Sequence, residues 1–487
     1  MRVSNYSRFY IPYRLESVKI LPDHDENRPE LYGKITLESI LRAEIEAPKQ
    51  NRIISMAVTA PDYRDRGRPS SWSAKIDDIC SGAEDDPRRL LIVSAGNTEM
   101  KQRHHYPAVN ETEGIHDPGQ AWNALTIGAY TEKSLIEQKE YPGWKPIAPP
   151  GDISPSSTTS LEWQDQWPLK PDIVFEGGNN AVNPFGEADA GPDSLGLLTA
   201  YYRYLDRLFT VSGDTSAATA QVARMAATIQ AKYPELWPET LRALPVHSAE
   251  WTQAMKNRWG NSNTRRDIKR LIRCCGFGVP DLTRALSSAH NDLTLIVQDQ
   301  LYPYDKEDSR GVTREMHVHQ IPWPVEVLKE LGQIDVKMRV TLSYFIESNP
   351  ARRGWEKRYR YASHQLRFDV NTPTETLEQF RKRINKAARE ETEKKETGSD
   401  SSEWCLGPQL RHKGSIHSDW WEGAAIDLAQ RSYIAVYPGP GWWRDRHQLG
   451  RWNRQARYAL IVGIATPEID VDLYTAIVNK IGIEVQV

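Results

Sequence analysis

The sequence is poor in the features that would assign it quickly. Only four cysteines occur, Cys80, Cys274, Cys275 and Cys405. They show no C-x-x-C or other zinc-ligand spacing, and two are direct neighbours, so neither a disulfide framework nor a structural zinc site is expected. No stretch of about 18 apolar residues occurs, so no spanning helix is expected. The opening "MRVSNYSRFYIPYRLES" lacks the apolar run of a signal peptide. Excess charge of one sign is also missing: 62 Lys and Arg stand against 65 Asp and Glu, a formal net charge of -3. That balance excludes a general electrostatic attraction to nucleic acid or to a membrane surface. No internal repeat is found. These absences describe a cytoplasmic chain with no nucleic-acid or membrane partner, and 487 residues point to two or three domains.

What is present divides into two textures. Up to about residue 285, short apolar runs alternate with helical patterns: "LESVKIL" as a strand, "LYGKITLESILRAEIEA" as a helix, "NRIISMAVT" as a strand, "SSWSAKIDDICSGA" as a helix, "RRLLIVSAGN" as a strand, and later "NALTIGAY" as a strand. Strands alternating with helices predict a parallel sheet covered on both faces, with ligands at the carboxyl ends of the strands. After "GFGVPDLTRAL" (276–286) the runs "DLTLIVQDQL", "IDVKMRVTLSYFI", "HQLRFDV", "RSYIAVY", "RYALIVGIA" and "IGIEVQV" read as strands of a mostly antiparallel, β-sandwich-like domain. The expected division is 1–288 and 289–487. The second part carries a charged helical insertion near 374–402, read as a solvated helix and mobile loop because both signs are mixed.

One stretch carries chemistry. In "VSGDTSAATAQVARMAATIQAKYP" (211–234), Ser216 stands before a helix-forming run that stops at Pro234. Two roles suit it. A serine there caps a helix by accepting from first-turn amides. The same helix end, with partial positive charge and free N–H groups, also suits a nucleophile whose reaction develops an oxyanion.

Four segments then act as a set. "DTSAATAQVA" (214–223) is similar to the G-T-S-x-A-x-P-x-V-A block of the subtilisin-like serine proteases, the subtilase family (peptidase S8). "SAGN" (94–97) resembles the family segment that ends in the oxyanion-hole asparagine. "PGQAWNALTIGAY" (118–130) and "KPDIV" (170–174) resemble two further family segments in the same order and spacing. The resemblance covers roughly residues 15–290 and implies a three-layer α/β/α subtilisin-like domain. It also implies a serine-type endopeptidase acting on protein or peptide, with Ser216 as nucleophile and Asn97, together with the Ser216 N–H, as oxyanion hole. No cofactor is implied beyond the structural calcium that such folds can carry.

The sequence departs from the family pattern at Asp214 for glycine, Ala220 for proline and Arg224 for glycine, and "FEGG" (175–178) replaces an A-P-G segment. More consequentially, the order of family motifs would place the catalytic Asp and His before "VKIL" (18–21), where residues 1–17 hold neither. None of His24, His104, His105 or His116 is followed by glycine, and no D-S-G or D-T-G occurs. His104 and His105 read as a surface loop pair, His24 and His116 as loop residues, and His247 as packing. No base His and no orienting Asp are identified. Two readings remain: a shortened peptidase whose base lies on an upstream fragment, and a pseudoprotease or scaffold that binds peptide without cleaving it.

The tryptophans Trp404, Trp420, Trp421, Trp442, Trp443 and Trp452 cluster in the second half. They read first as packing residues of a β domain and second as a binding surface. "YPGPGWWRDR" (437–446) reads as a loop whose tip touches a partner or the protease domain.

Overall fold

The computed structural model describes residues 11–24, 26–61, 65–260, 264–286, 293–308, 310–350, 359–389 and 403–465. The first half builds a sheet from β1 (Ile53–Met56), β2 (Leu90–Ser94), β3 (Leu125–Thr131) and, after the short antiparallel β4 (Asp152–Ile153), β5 (Ile173–Glu176). β1, β2, β3 and β5 run parallel. All of β2 is buried, and its alternating side chains explain the continuous run "LLIV". Leu91 and Val93 pack with Ile40 of helix α1 (Tyr32–Glu46) and with Trp72, Ile76 and Ile79 of α2 (Ser71–Ser81). Leu90 and Ile92 face the opposite way, against Ala218, Val222, Met225, Ala226 and Ile229. A strand covered on both faces has no polar side to alternate with. The result is the expected three layers.

Local chemistry sets the ends of these elements. The Ser70 hydroxyl caps α2 by accepting from the Ser73 N–H, and Gly82, at φ 65°, closes it in the left-handed region. A hairpin of β6 (Leu197–Ala200) and β7 (Phe209–Ser212) leads into α3 (Asp214–Lys232). The buried positions of α3 recur at helical spacing, and the helix crosses β1, β2, β3 and β5. The strand expected at 15–21 does not form. That segment has no ladder partner among the described residues, leaving Leu15, Val18 and Leu21 exposed. It is tied down instead by Glu16, whose carboxylate pairs with Arg52 Nε at 2.7 Å. Arg52 holds that carboxyl below its usual range.

After helix α4 (Pro238–Ser248), two antiparallel sheets follow. One has the order β8 (Leu293–Leu301), β14 (Ala456–Ala465), β10 (Asp335–Tyr344), β12 (Ile416–Ala424). The other has the order β9 (His317–Gln320), β13 (Tyr433–Gly439), β11 (Gln365–Val370). They face each other through Met338, Val340, Leu460 and Val462 from the first and Leu366, Phe368, Ile434 and Val436 from the second. Ala435 and Tyr437, on the outer face of the second sheet, are covered by Phe380, Ile384, Ala387 and Ala388 of α5 (Leu377–Arg389). The charged insertion is therefore amphipathic rather than fully solvated. Arg383 fastens it by pairing with Asp369 and Glu375. The remainder of that insertion, from 390 to 402, and the run "IGIEVQV" lie outside the described residues.

Trp404, Trp421, Trp442 and Trp443 are buried. In the 437–446 segment, read as a loop, Trp442 and Trp443 fold inward: their indoles reach the carbonyl and the carboxylate of Glu347. These acceptors offset the cost of burying the two indole N–H groups.

The halves share a core. Ala95, Ile115, Trp122, Trp163 and Trp167 belong to the same apolar cluster as the facing sheets, and α4 packs on β10 and β14. Arg242, on α4 and fully buried, is the polar centre of that junction. Its Nε donates to Ser343 Oγ at 3.0 Å. Its Nη1 donates to the Trp122 and Asn123 carbonyls at 3.0 and 2.9 Å and to Ser415 Oγ at 3.1 Å. Its Nη2 donates to the Tyr344 and Ser415 carbonyls at 2.9 and 2.5 Å. The fork of five donors is used in full by groups from both halves. Arg242→Met should destabilise the chain by about 3–5 kcal/mol, because several buried acceptors lose their donor. Arg242→Lys should recover only part of that, since an ammonium offers three donors. Urea unfolding of the full chain measures both.

Candidate functional site

Two backbone segments meet at the carboxyl edge of the parallel sheet. The first is the turn Ala95–Gly96–Asn97 that follows β2; the second is the N-terminus of α3. Gly96 sits at φ 95°, and a Cβ there would collide with the His116 ring, so only glycine lets the turn form. Thr158 Oγ1 donates to the Ala95 carbonyl at 2.8 Å, and Asn97 bridges to Ser157 in antiparallel fashion. The turn is thus braced from behind before any ligand is present.

Thr215 joins the two segments. Its N–H and its hydroxyl both donate to Asn97 Oδ1, at 3.1 and 2.7 Å. With the carboxamide oxygen held twice, the other end of the Asn97 amide has no hydrogen-bond partner among the described residues. The helix start repeats this logic. The Asp214 N–H donates to the Gly177 carbonyl at 2.6 Å, the Ala217 N–H to the Gly213 carbonyl at 3.2 Å, and the Thr215 N–H to Asn97. Ser216 lies between these committed amides. Among the described residues neither its N–H nor its half-buried hydroxyl has a partner.

Ser216 is therefore not the helix cap. Gly213 holds the N-cap position, without a side-chain cap, and the helix opens at Asp214, two residues earlier than the serine. Ser216 is the third residue of the first turn, where its hydroxyl does not turn back onto the backbone as a cap would.

Asp214, where the resembled block has glycine, lies in the left-handed region at φ 64°. Asp is among the residues that tolerate this region. Its carboxylate is spent on Arg103: Nη1 reaches Oδ1 at 2.9 Å and Nη2 reaches Oδ2 at 3.1 Å, a bidentate pair. Arg103 is buried and also donates to Asn180 Oδ1 and to the Thr98 carbonyl, next to Asn97. Sequence reasoning passed over Arg103 in favour of the histidines beside it. The signal available was the acidic residue in a glycine position, which requires a cation nearby. Ala220 and Arg224, two further departures, are exposed on α3.

The histidines separate by burial. His24 is exposed, and His104 and His105 are exposed in the 3-10 turn Met100–His105 with their rings 3.8 Å apart. His116 is buried against Gly96, and burial pushes its pKa down to about 4, so at neutral pH it is a weak base. His247 hydrogen-bonds Thr341 Oγ1 through Nδ1 at 3.0 Å, in the contact between α4 and β10. No histidine among the described residues hydrogen-bonds Ser216. Of the residues singled out from sequence, the structure thus brings Ser216 and Asn97 together through Thr215, while His116 packs against the neighbouring Gly96 and no histidine among the described residues hydrogen-bonds either of the two.

The carboxylate and the backbone conformation of Asp214 can be separated by mutation. Asp214→Gly removes the ion pair but keeps the left-handed conformation free of strain. Asp214→Ala removes the pair and adds the left-handed penalty of about 1–2 kcal/mol. Asp214→Ala should therefore be less stable than Asp214→Gly by about that amount in denaturant melts. Equal stability of the two would show that the backbone relaxes.

Residues 9–278 match the subtilase family, peptidase S8, over more than half of the chain. A relative, the uncharacterized protein y4bN of Sinorhizobium fredii (strain NBRC 101917 / NGR234), is 28% identical over 403 residues, covering 78% of this chain and 85% of that protein. Solved structures similar to it include the self-cleaved protease domain of PatA, at 17% identity and TM-score 0.30, covering 52% of this chain and 66% of that one. The MycP3 protease of the type VII (ESX-3) secretion system is similar at 15% identity and TM-score 0.28, covering 55% and 62%. The epidermin leader peptide processing serine protease (EpiP) from Staphylococcus aureus is similar at 18% identity and TM-score 0.33, covering 55% and 56%. The chain spans between half and two thirds of the length of these solved chains. By its sequence match and its parallel-sheet domain, the chain belongs to the subtilase family.

Proposed function

We propose that this chain is the nucleophile-bearing part of a serine endopeptidase. Ser216 Oγ attacks the carbonyl carbon of a peptide bond, its proton passes to a base, and the carbonyl oxygen takes up negative charge. The Ser216 N–H and the Asn97 amide donate to that oxygen. The observation that carries this reading is the pattern of commitment around Ser216. Thr215 ties down one end of Asn97, its neighbours' amides are bonded, and two donors beside one hydroxyl are left without partners among the described residues. Donors held in place before charge develops need no reorganisation during the reaction.

The base and its orienting carboxylate come from outside the described residues in this reading. An upstream fragment carrying them is the partner that the order of family motifs calls for. Protein or peptide is the substrate class. The β6–β7 hairpin supports this choice: it ends two residues before Asp214 and exposes Leu198, Tyr202, Tyr204, Leu205 and Leu208, an apolar surface against which extended chain could lie. A second reading, a peptide-binding protein without cleavage, is favoured by one observation, the lack of a histidine bonded to Ser216 among the described residues.

A fluorophosphonate probe distinguishes them. The peptidase reading expects a single adduct on Ser216 by intact mass, absent in Ser216→Ala, together with peptide hydrolysis once the fragment bearing the base is supplied. Asn97→Ala should then lower turnover by about 10²–10³. Peptide binding that survives with neither adduct nor hydrolysis under any of these conditions would establish the binding-protein reading instead.

A further inference from the structure

At one open edge of the two facing sheets, four polar groups converge where apolar packing would be expected. β8 and β9 are the edge strands of their respective sheets. His317 and His319 lie two residues apart on β9, so both side chains point to the same face. They pair in register with Val436 and Ile434 of β13, whose side chains lie in the cluster between the sheets. Val318, between them, faces the other way, towards the cluster under α5. Across the gap, Asp299 of β8 stands directly opposite Tyr458 of β14.

We propose that Asp299, His317 and His319 form a binding site for a divalent first-row transition metal ion, with zinc the ion that the donor set fits best. The three side chains each offer a ligand atom, and these atoms lie within 4.8 Å of one another. His317 Nδ1 is 3.0 Å from Asp299 Oδ2. The Tyr458 hydroxyl is 2.8 Å from His317 Nδ1, 2.8 Å from His319 Nε2 and 3.5 Å from Asp299 Oδ2. Zinc bound at about 2.0–2.1 Å by nitrogen and oxygen needs tetrahedral corners about 3.3 Å apart, which is the scale of these separations. Two imidazoles and one carboxylate suit zinc better than calcium or magnesium, which prefer oxygen alone.

The surroundings fit a site rather than a chance contact. Tyr458 is fully buried and fixes the inner wall, while His317 and Asp299 keep 25% and 41% of their side-chain surface exposed, leaving a path for the ion. The Tyr458 hydroxyl or a water supplies the fourth position. A bound ion would pin β9 to β8 and close the edge of the sandwich. The site is separate from Ser216 and independent of the peptidase reading.

The full-length chain, stripped with a chelator, is titrated with zinc by calorimetry and with cobalt by visible absorption. One equivalent of zinc with micromolar affinity or better is expected, as is the intense absorption of tetrahedral cobalt. His317→Ala and His319→Ala should each weaken binding by at least about tenfold, and the double variant should abolish it. Ser216→Ala should bind zinc like the unaltered chain. Lack of stoichiometric zinc binding, or undiminished binding by the double variant, would overturn the proposal. X-ray absorption of the cobalt-loaded unaltered chain decides the question if the variants fold poorly: imidazole nitrogen and oxygen donors support the site, and sulfur donors refute it.

Discussion

The guanidinium of Arg242 is the interaction on which the arrangement of the two halves depends. A fully buried cation is costly unless every donor is used, and here the acceptors are carbonyls and hydroxyls from 122–123 in the first half and from 343–344 and 415 in the second. Burial lowers the pKa of the group, with nearby carboxylates such as Asp172 opposing the shift. The acceptors exist in this constellation only when α4, the loop before β3 and the ends of β10 and β12 are all in place. Apolar burial then follows around it, so that Trp122, Trp163 and Trp167 enter the core of the β half.

The same economy of donors operates at the helix start that carries Ser216. A helix N-terminus presents more N–H groups than it can satisfy internally. Here a carbonyl, an asparagine side chain and the N-cap carbonyl take up the amides on either side of Ser216. The ion pair between Arg103 and Asp214 holds the first helical residue in a left-handed conformation and links it to the turn carrying Asn97. Rigidity at this point comes from outside the helix.

Much of this was legible in one dimension. The apolar runs of β2 and β3, the helical spacing of α3 and the stop at Pro234 follow from local periodicity, and so does the alternation that marks β10, β13 and β14. Gly96 could be recognised within "SAGN". Other features were not legible. The run at 15–21 has the composition of a strand but finds no ladder partner among the described residues. The insertion read as a solvated charged helix buries Phe380 and Ile384, because a charge count hides an apolar stripe of four residues. Ser216 looked like a cap because a hydroxyl before an alanine-rich run usually is one; the helix began two residues earlier, at an aspartate held by a distant arginine.

What the sequence determined by itself is the family, the class of fold in each half and the pairing of Ser216 with Asn97 as residues to examine, since motif order and hydrophobic period are properties of neighbours along the chain. What only the tertiary structure decided is which donors are spent and which are free. It also decided that Arg103 answers Asp214, that Arg242 binds the halves together, and that Asp299 meets His317 and His319 across two sheets. Those partners are separated by tens to hundreds of residues, and hydrogen bonds and ion pairs act over a few ångströms of space whatever the distance along the chain.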